Sequence, residues 1–248
     1  MGRLIKFEFF KLRKSKFLYI ATGVYLTVFL LMMMIGGDIT GDPNQDYIRR
    51  VASVALTLTS VAFVPFIAVF TAVFVCDDFS GRITKNVYSR GYTRTQFFFA
   101  KLFVSFVVVS GVVLTVYGSC FVMGSLIAGS FIGVMNEIPQ FALMIIAWCV
   151  FYYTFSFMAA TAVRRKAIAI ILGLMGPNVI HFILSVIDIS LMGLNPVQSH
   201  FALSRLWFSM YNLDIFIGAW WVKAVLAFVF YAPLFILIGW LSNRKTQV

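Results

Sequence analysis

Three side chains in the last third of the sequence could bind a metal ion or move a proton: His181, Asp188 and His200. Zinc accepts imidazole nitrogens and carboxylate oxygens as ligands, so the set has suitable chemistry. Its spacing matches no ligand pattern on one helix face, and we predict no metal site. His181 alone could relay protons, although a histidine in an apolar helix more often bonds a polar neighbour.

Motifs for catalysis are absent from the sequence. It contains no GxxxxGK[ST] phosphate loop, no HExxH pair and no GxSxG turn. We therefore expect that the chain is not an enzyme and binds no nucleotide itself.

The largest group of charged side chains lies in residues 76–101, and both flanks lack charge for about twenty residues, the length of a membrane span. Its charged members are Asp77, Asp78, Arg82, Lys85, Arg90, Arg94 and Lys101. Phe79 and Ile83 are spaced for one face of a short helix. Mixed charge with apolar anchors favours a loop that docks another protein, and a plain solvated connector is the alternative.

The composition indicates a polytopic membrane protein. The 248 residues are 61% hydrophobic and 12% charged, with a mean hydropathy of +0.94. The net charge of +11 comes mainly from four segments that alternate with acidic ones: residues 1–16, 76–101, 164–166 and 242–248. This alternation is the positive-inside pattern, so no nucleic-acid partner is predicted. The three cysteines form no disulfide framework.

Long apolar runs predict an all-α fold with six transmembrane helices in a single domain. The predicted spans are residues 17–35, 51–75, 102–128, 141–163, 167–187 and 223–241. The first run could instead be a signal peptide, but it is as long as a span and lacks a small-residue cleavage site. Six spans place both termini and residues 76–101 in the cytoplasm.

Two further segments have predicted positions at the membrane surfaces. Residues 1–16 are expected to form an amphipathic interfacial helix, with Ile5, Phe9 and Leu12 in the inner headgroup layer. Residues 188–222 are expected to form an outer helical segment. Its aromatic residues could form an outer gate: Trp207, Phe208 and Tyr211.

The predicted spans contain no Asp, Glu, Lys or Arg between their interfacial ends. Ion-driven transporters commonly place such groups near the midplane, so the energy for any transport is expected to enter elsewhere. Pro177 should bend or break the fifth span because it removes a backbone hydrogen bond. The predicted helix breaks and possible conduit residues are Pro65, Pro177, Asn178 and His181.

A turn followed by a helix start is predicted late in the charged segment. Gly91 permits the turn, and Thr93 can cap the helix that follows. The segment reads Asn86-Val87-x-Ser89-x-Gly91-x-Thr93-Arg94-x-x-Phe97-x-x-Ala100-Lys101. With Glu8-Phe-Phe-Lys11-Leu12 near the N-terminus and six spans, it resembles type-2 permeases of the ABC transporter family. It departs from them in having Asp where Glu is common, and Arg82 where Thr usually follows Gly81.

The resemblance implies that residues 77–101 and the N-terminal helix seat in a groove of a separate ATPase subunit. The residues implied in this coupling are Glu8, Lys11, Asp77, Asp78, Phe79, Gly81, Ile83, Thr93, Arg94 and Lys101. ATP and Mg would be bound by two copies of that partner, and this chain would hold no cofactor. A non-transporting membrane scaffold or sensor that docks a cytoplasmic partner is the alternative.

Small permeases of this kind resemble those of bacteriocin and lantibiotic immunity and of phenol-soluble-modulin-like peptide export. The resemblance therefore implies an exporter of an amphipathic or hydrophobic peptide in a bacterial plasma membrane. The resemblance implies an assembly with twelve spans. One six-span chain supplies half of them, so a homodimer is expected.

Overall fold

All regular structure in the described residues is helical, which confirms the predicted all-α class for that part of the chain. The computed structural model describes residues 2–16, 18–24, 26–27, 63–80, 83–128, 138–192 and 225–245. The helices are α1 Gly2–Arg13, α2 Val64–Ser80, α3 Ile83–Ser89, α4 Arg94–Ala128, α5 Ile138–Val163, α6 Lys166–Met192 and α7 Ala232–Lys245. Residues 18–24 and 26–27 are also helical, and a π-helical segment, Leu226–Tyr231, leads into α7.

Helix α5 is the centre of the bundle, because it contacts α2, α4, α6 and α7. Every residue from 147 to 157 is buried. A helix that is apolar on all sides is stable only where all sides are covered by protein or lipid. The ring of Phe151 meets those of Tyr231 and Phe235 edge to face, with centroids 5.3 and 5.6 Å apart. These contacts hold the C-terminal helix to the centre.

Two glycines let α6 approach its neighbours closely. A Cβ atom on Gly173 would lie 2.9 Å from the Cβ of Ala68 on α2. A Cβ atom on Gly176 would overlap the ring of Phe155 on α5. Small residues serve this purpose in membrane helices, because close packing replaces the missing hydrophobic driving force. The two glycines therefore fix where α6 sits on α2 and α5.

Helix α6 continues through Pro177, so of the two predicted outcomes the break does not occur, and the bend stays a prediction. Pro177 has no backbone amide hydrogen, so the usual helical bond to the Gly173 carbonyl is missing. The side-chain amide of Asn178 donates to the Leu174 carbonyl at 2.9 Å. The Tyr152 hydroxyl donates to the Asn178 side-chain oxygen at 3.3 Å. These bonds support the helix beside the proline.

Two described segments are long and apolar enough to cross a membrane, Arg94–Val116 and Ile146–Val163. Shorter apolar helices cover Lys166–Ile180 and Phe228–Arg244. The described part of every predicted span is helical. The count of six spans stays a prediction. Helix α4, which contains the third predicted span, begins at Arg94, directly after the predicted cap residue Thr93.

Several predicted features lie outside the described residues. They include the outer segment beyond residue 192, with its gate residues Trp207, Phe208 and Tyr211, and the first half of the second predicted span. Pro65 occupies the first described turn of α2. Its kink therefore stays a prediction.

Candidate docking site

The segment predicted as a loop, residues 76–101, is mostly helical. Helix α2 extends to residue 80, the short helix α3 covers Ile83–Ser89, and α4 begins at Arg94. Gly91 has a φ angle of +83°, which only glycine adopts readily, and this makes the turn between α3 and α4 possible. The backbone amide of Gly91 closes the turn by donating to the Tyr88 carbonyl at 3.0 Å.

Thr93 caps α4, as the sequence predicts. Its hydroxyl oxygen accepts a hydrogen bond from the backbone amide of Gln96 at 3.2 Å, and its own amide donates to the Gln96 side chain at 3.2 Å. This reciprocal pair is a capping box, which satisfies two amides at the start of a helix. The cap fixes the residue at which the turn ends and α4 begins.

The turn forms an exposed tip, residues 89–95, which we call the α3–α4 tip. Ser89, Arg90 and Gly91 are exposed, and so is Thr93. The Arg94 guanidinium lies 6.0 Å from the Tyr88 ring centroid, within reach of a cation–π contact. Burial raises the pKa of Tyr88, which keeps the phenol neutral. The tip thus presents cationic and polar side chains between two helices of defined structure, α3 and α4.

Beneath the tip, four charged side chains form a buried ionic cluster of Glu8, Lys11, Asp78 and Lys101. Asp78 makes ion pairs with both lysines. The Lys101 ammonium also donates to the Phe74 carbonyl at 3.1 Å and lies 4.0 Å from a Glu8 carboxylate oxygen. Glu8 and Asp78 are 0% exposed, Lys101 is 2% exposed, and Lys11 is 29% exposed.

The burial of this cluster corrects the placement expected from the sequence. Glu8, Asp78 and Lys101 are covered by the protein itself, so their side chains do not form a surface for a partner in this structure. A buried charge needs a partner because removing it from water is costly. The four residues therefore hold α1 to the ends of α2 and α4. These residues stabilise the packing of the helices, whereas the tip is exposed and could contact a partner.

Aromatic rings surround the two lysines of the cluster. The Lys101 ammonium lies 4.4 Å from the Phe74 ring centroid and 5.1 Å from that of Phe97. The Lys11 ammonium lies 5.4 Å from the Phe74 ring. Ring faces carry partial negative charge, so they offset part of the desolvation of a buried cation.

Helix α3 is attached directly to this cluster. The Thr84 hydroxyl donates to the backbone carbonyl of Asp78 at 3.1 Å. Leu4 of α1, Val87 of α3, and Phe97 with Ala100 of α4 form a small apolar core. Helices α1 to α4 thus meet at one point below the tip.

Further contacts join this region to α6 and α7. Asp77 makes an ion pair with Lys166 at the start of α6, and Arg164 donates to the Asn243 side chain at 3.3 Å. Arg164 has a φ angle of 58°, an uncommon value for a residue other than glycine. The sequence identifies Arg164 only as part of a basic turn, and nothing local in the sequence points to its contact with α7.

The remaining predicted residues lie apart from the cluster or outside the described residues. Pro177 and Asn178 lie within α6, and the hydrogen bonds of Asn178 join it to Leu174 and Tyr152 rather than to the α3–α4 tip. Gly81 lies outside the described residues. The backbones of Phe79, Ile83 and His181 are helical, and the structure describes no side chain for them. Within the described residues, no group of three potential ligands could hold a metal ion.

Glu8 is expected to make the stability of the chain depend on pH. Burial raises the pKa of its carboxyl above the ordinary value of 4.5, with Asp78 acting in the same direction and Lys101 and Lys11 opposing it. The folded state therefore binds this proton more tightly, and the gain is full below pH 4.5 and is lost as the pH rises through the raised pKa.

Glu8→Gln cannot titrate, so it should gain stability relative to the parent as the pH rises through this window. The measurement is the difference between the two thermal unfolding midpoints across the pH range. A parent that instead gained stability over Glu8→Gln with rising pH would contradict a raised pKa at Glu8.

Comparison with known proteins gives one result. A family model described as ABC-2 family transporter protein matches residues 4–188. This stretch includes α1 from residue 4 onward, the buried cluster, the tip, helices α2 to α5 and most of α6. No curated protein and no solved structure matches the chain.

Proposed function

Because the chain belongs to the ABC-2 family of transporter proteins, we propose that it is the permease subunit of an exporter powered by a separate ATPase. Membership makes it an integral membrane component of an ABC transporter, and permeases of this family generally pair with an ABC ATPase. The binding site of the ATPase, the molecule moved and the number of chains are part of the same proposal.

The observation that carries the proposal is an exposed tip fixed to a buried base. Residues 89–95 project from a point where four helices meet around Glu8, Asp78 and Lys101. A force applied to such a tip is transmitted to α2 and α4, because packed and ion-paired side chains resist local deformation. A flexible connector would absorb the same force. The ATPase is therefore proposed to grip the tip, and not the buried carboxylates.

The proposed assembly contains two permease chains and two ATPase subunits. ATP and Mg would be bound by the ATPases, and their closure would push the two tips and tilt the helices attached to them. Identical chains favour a twofold arrangement, since most soluble homo-oligomers are closed and symmetric. The tip and the chain termini would face the cytoplasm of a bacterial plasma membrane.

The proposed cargo is an amphipathic or hydrophobic peptide, such as a peptide toxin or antimicrobial peptide. Between Leu102 and Val163 the sequence carries only one charged residue, Glu137. A path between such helices offers a charged solute no counterion, whereas an apolar or amphipathic molecule needs none.

The test of the docking proposal is charge reversal at the tip. In vesicles containing the permease and its ATPase, Arg90→Glu with Arg94→Glu should lower stimulated ATP hydrolysis and cargo flux at least about tenfold, or about 1.4 kcal/mol of coupling. The matched control reverses two exposed arginines elsewhere, Arg165→Glu with Arg244→Glu, and should keep most of both activities. The unfolding midpoint of each variant is measured in parallel.

The outcome separates transport from scaffolding. Normal ATP hydrolysis and flux in the tip variant would remove the tip as the docking site. Binding of the ATPase without any flux, for every candidate peptide, would favour the non-transporting scaffold or sensor.

A further inference from the structure

Helix α1 packs on the bundle through the face that the sequence pattern places against lipid. Leu4, Glu8 and Leu12 are buried, and Ile5 and Phe9 pack against the core. The sequence pattern alone predicts Ile5, Phe9 and Leu12 in the headgroup layer. Glu8 is ion-paired inside the protein. Because Ile5, Phe9 and Leu12 lie on the same side of the helix as Glu8, they also face the bundle.

The opposite face of α1 is exposed and combines aromatic rings with cations. Phe7 is 44% exposed and Phe10 is 57% exposed. The exposed basic residues on the same side are Arg3, Lys6, Arg13 and Lys14. At about 100° per residue, these six side chains cover an arc of about 120°, with Phe10 near its middle. We call this arc the outer face of α1.

The outer face carries positive charge without any acidic neighbour on the same segment. Glu8 is the one acidic residue in residues 2–16, and it is buried on the other side. Lys11 is engaged by Asp78, so it is not part of this charge. The Lys14 ammonium lies 4.6 Å from the Phe10 ring centroid. Rings and cations are therefore interleaved rather than segregated.

The neighbouring part of the chain indicates what covers this face. After a turn at residues 14 and 15, the helical residues 18–24 begin, and Tyr19, Ile20 and Val24 are exposed apolar side chains. These belong to the first predicted span and would face acyl chains. The outer face of α1 thus adjoins a surface for lipid at the basic end of the bundle.

We propose that the outer face of α1 binds the headgroups of acidic phospholipids, with Phe7 and Phe10 inserted between them. Exposed rings on a helix are unfavourable in water and favourable at the boundary of headgroups and acyl chains. Cations near an anionic leaflet gain electrostatic free energy for each Lys or Arg. The surface would hold α1 against the leaflet on one side while the buried cluster holds it to the bundle on the other.

The test uses the full chain in nanodiscs without cargo, and the ATPase is added only in a second series of measurements. Cys76, Cys120 and Cys149 are replaced by alanine, and Phe10→Cys supplies a single thiol on the outer face. Its rate of reaction with an uncharged, membrane-impermeant maleimide is compared between pure phosphatidylcholine and an equal mixture with phosphatidylglycerol. The rate should fall at least about tenfold in the mixture, because the acidic lipid draws position 10 into the headgroup layer. Ser89→Cys at the tip is the reference thiol and should react equally in both.

Neutralising the basic residues identifies their contribution. The substitutions Arg3→Gln, Lys6→Gln, Arg13→Gln and Lys14→Gln together should abolish the difference between the two lipid mixtures at position 10. The control neutralises three exposed arginines elsewhere, Arg90→Gln, Arg165→Gln and Arg244→Gln, and should keep the difference.

Two results would overturn the proposal. One is an equal rate at position 10 in both lipid mixtures. The other is protection that appears only when the ATPase is added, which would make this face a protein interface. Since the measurement involves no ATP hydrolysis or flux, its failure would leave the proposed transport function standing, and failure of transport would leave this result standing.

Discussion

Lys101→Ala is expected to destabilise the folded chain by about 3–5 kcal/mol, the usual cost of removing one partner from a buried ion pair. Lys101 is the cation that joins Asp78, Glu8 and the Phe74 carbonyl at one point. Without it, Asp78 keeps only the partly exposed Lys11. The measurement is the free energy of unfolding by denaturant titration in mixed micelles.

Two variants make this expectation specific to the buried cluster. Lys101→Met with Asp78→Leu and Glu8→Gln removes all three buried charges and should recover most of the loss, since replacement of a whole buried ionic group by uncharged residues is often neutral. Asp77→Ala breaks a pair whose side chains are 41% and 49% exposed, and should cost no more than about 1 kcal/mol. Equal losses in Lys101→Ala and Asp77→Ala would argue against the cluster as a structural joint.

Gly176→Ala is expected to destabilise the bundle by about 1–3 kcal/mol, the usual cost of overpacking. The new methyl group would overlap the ring of Phe155, which is buried and also packs edge to face on Phe235 with centroids 5.3 Å apart. The ring therefore has little room to move. The measurement is the same unfolding titration, with the yield of folded protein as a second readout.

The same substitution at an open position is the control. A Cβ atom on Gly111 in α4 would meet nothing within 4 Å, so Gly111→Ala should be neutral or stabilising by about 0.5–1 kcal/mol. Combining Gly176→Ala with Phe155→Ala should cost less than the sum of the two changes, because the smaller side chain removes the overlap. Strict additivity would show that Phe155 is not the obstacle.

Local features of this chain can be predicted from the sequence because their causes are local. Thr93 and Gln96 lie three residues apart and form their cap without help from the rest of the fold. Gly91 is the turn residue that the sequence indicates, and it does adopt a positive φ angle. The apolar runs likewise predict helices, because their length and composition suit no other structure in a membrane.

The buried cluster could not be predicted because it depends on distant parts of the chain. Lys11 and Asp78 are 67 residues apart, and each is also a plausible surface charge. The rotation of α1 has the same origin. The helix carries phenylalanines on both sides, Phe9 inward and Phe7 and Phe10 outward, so periodicity alone does not choose the packed face.

The distance between the partners of Asp78 has a consequence during synthesis. At about 5–20 residues per second, Asp78 follows Lys11 from the ribosome by roughly 3–13 s. Glu8 and Lys11 emerge before Asp78 and Lys101, the residues with which they later form ion pairs. Until then α1 cannot occupy its place in the bundle. The nascent helix would rest on the inner leaflet through Phe7 and Phe10, and would dock only after Lys101 has been translated.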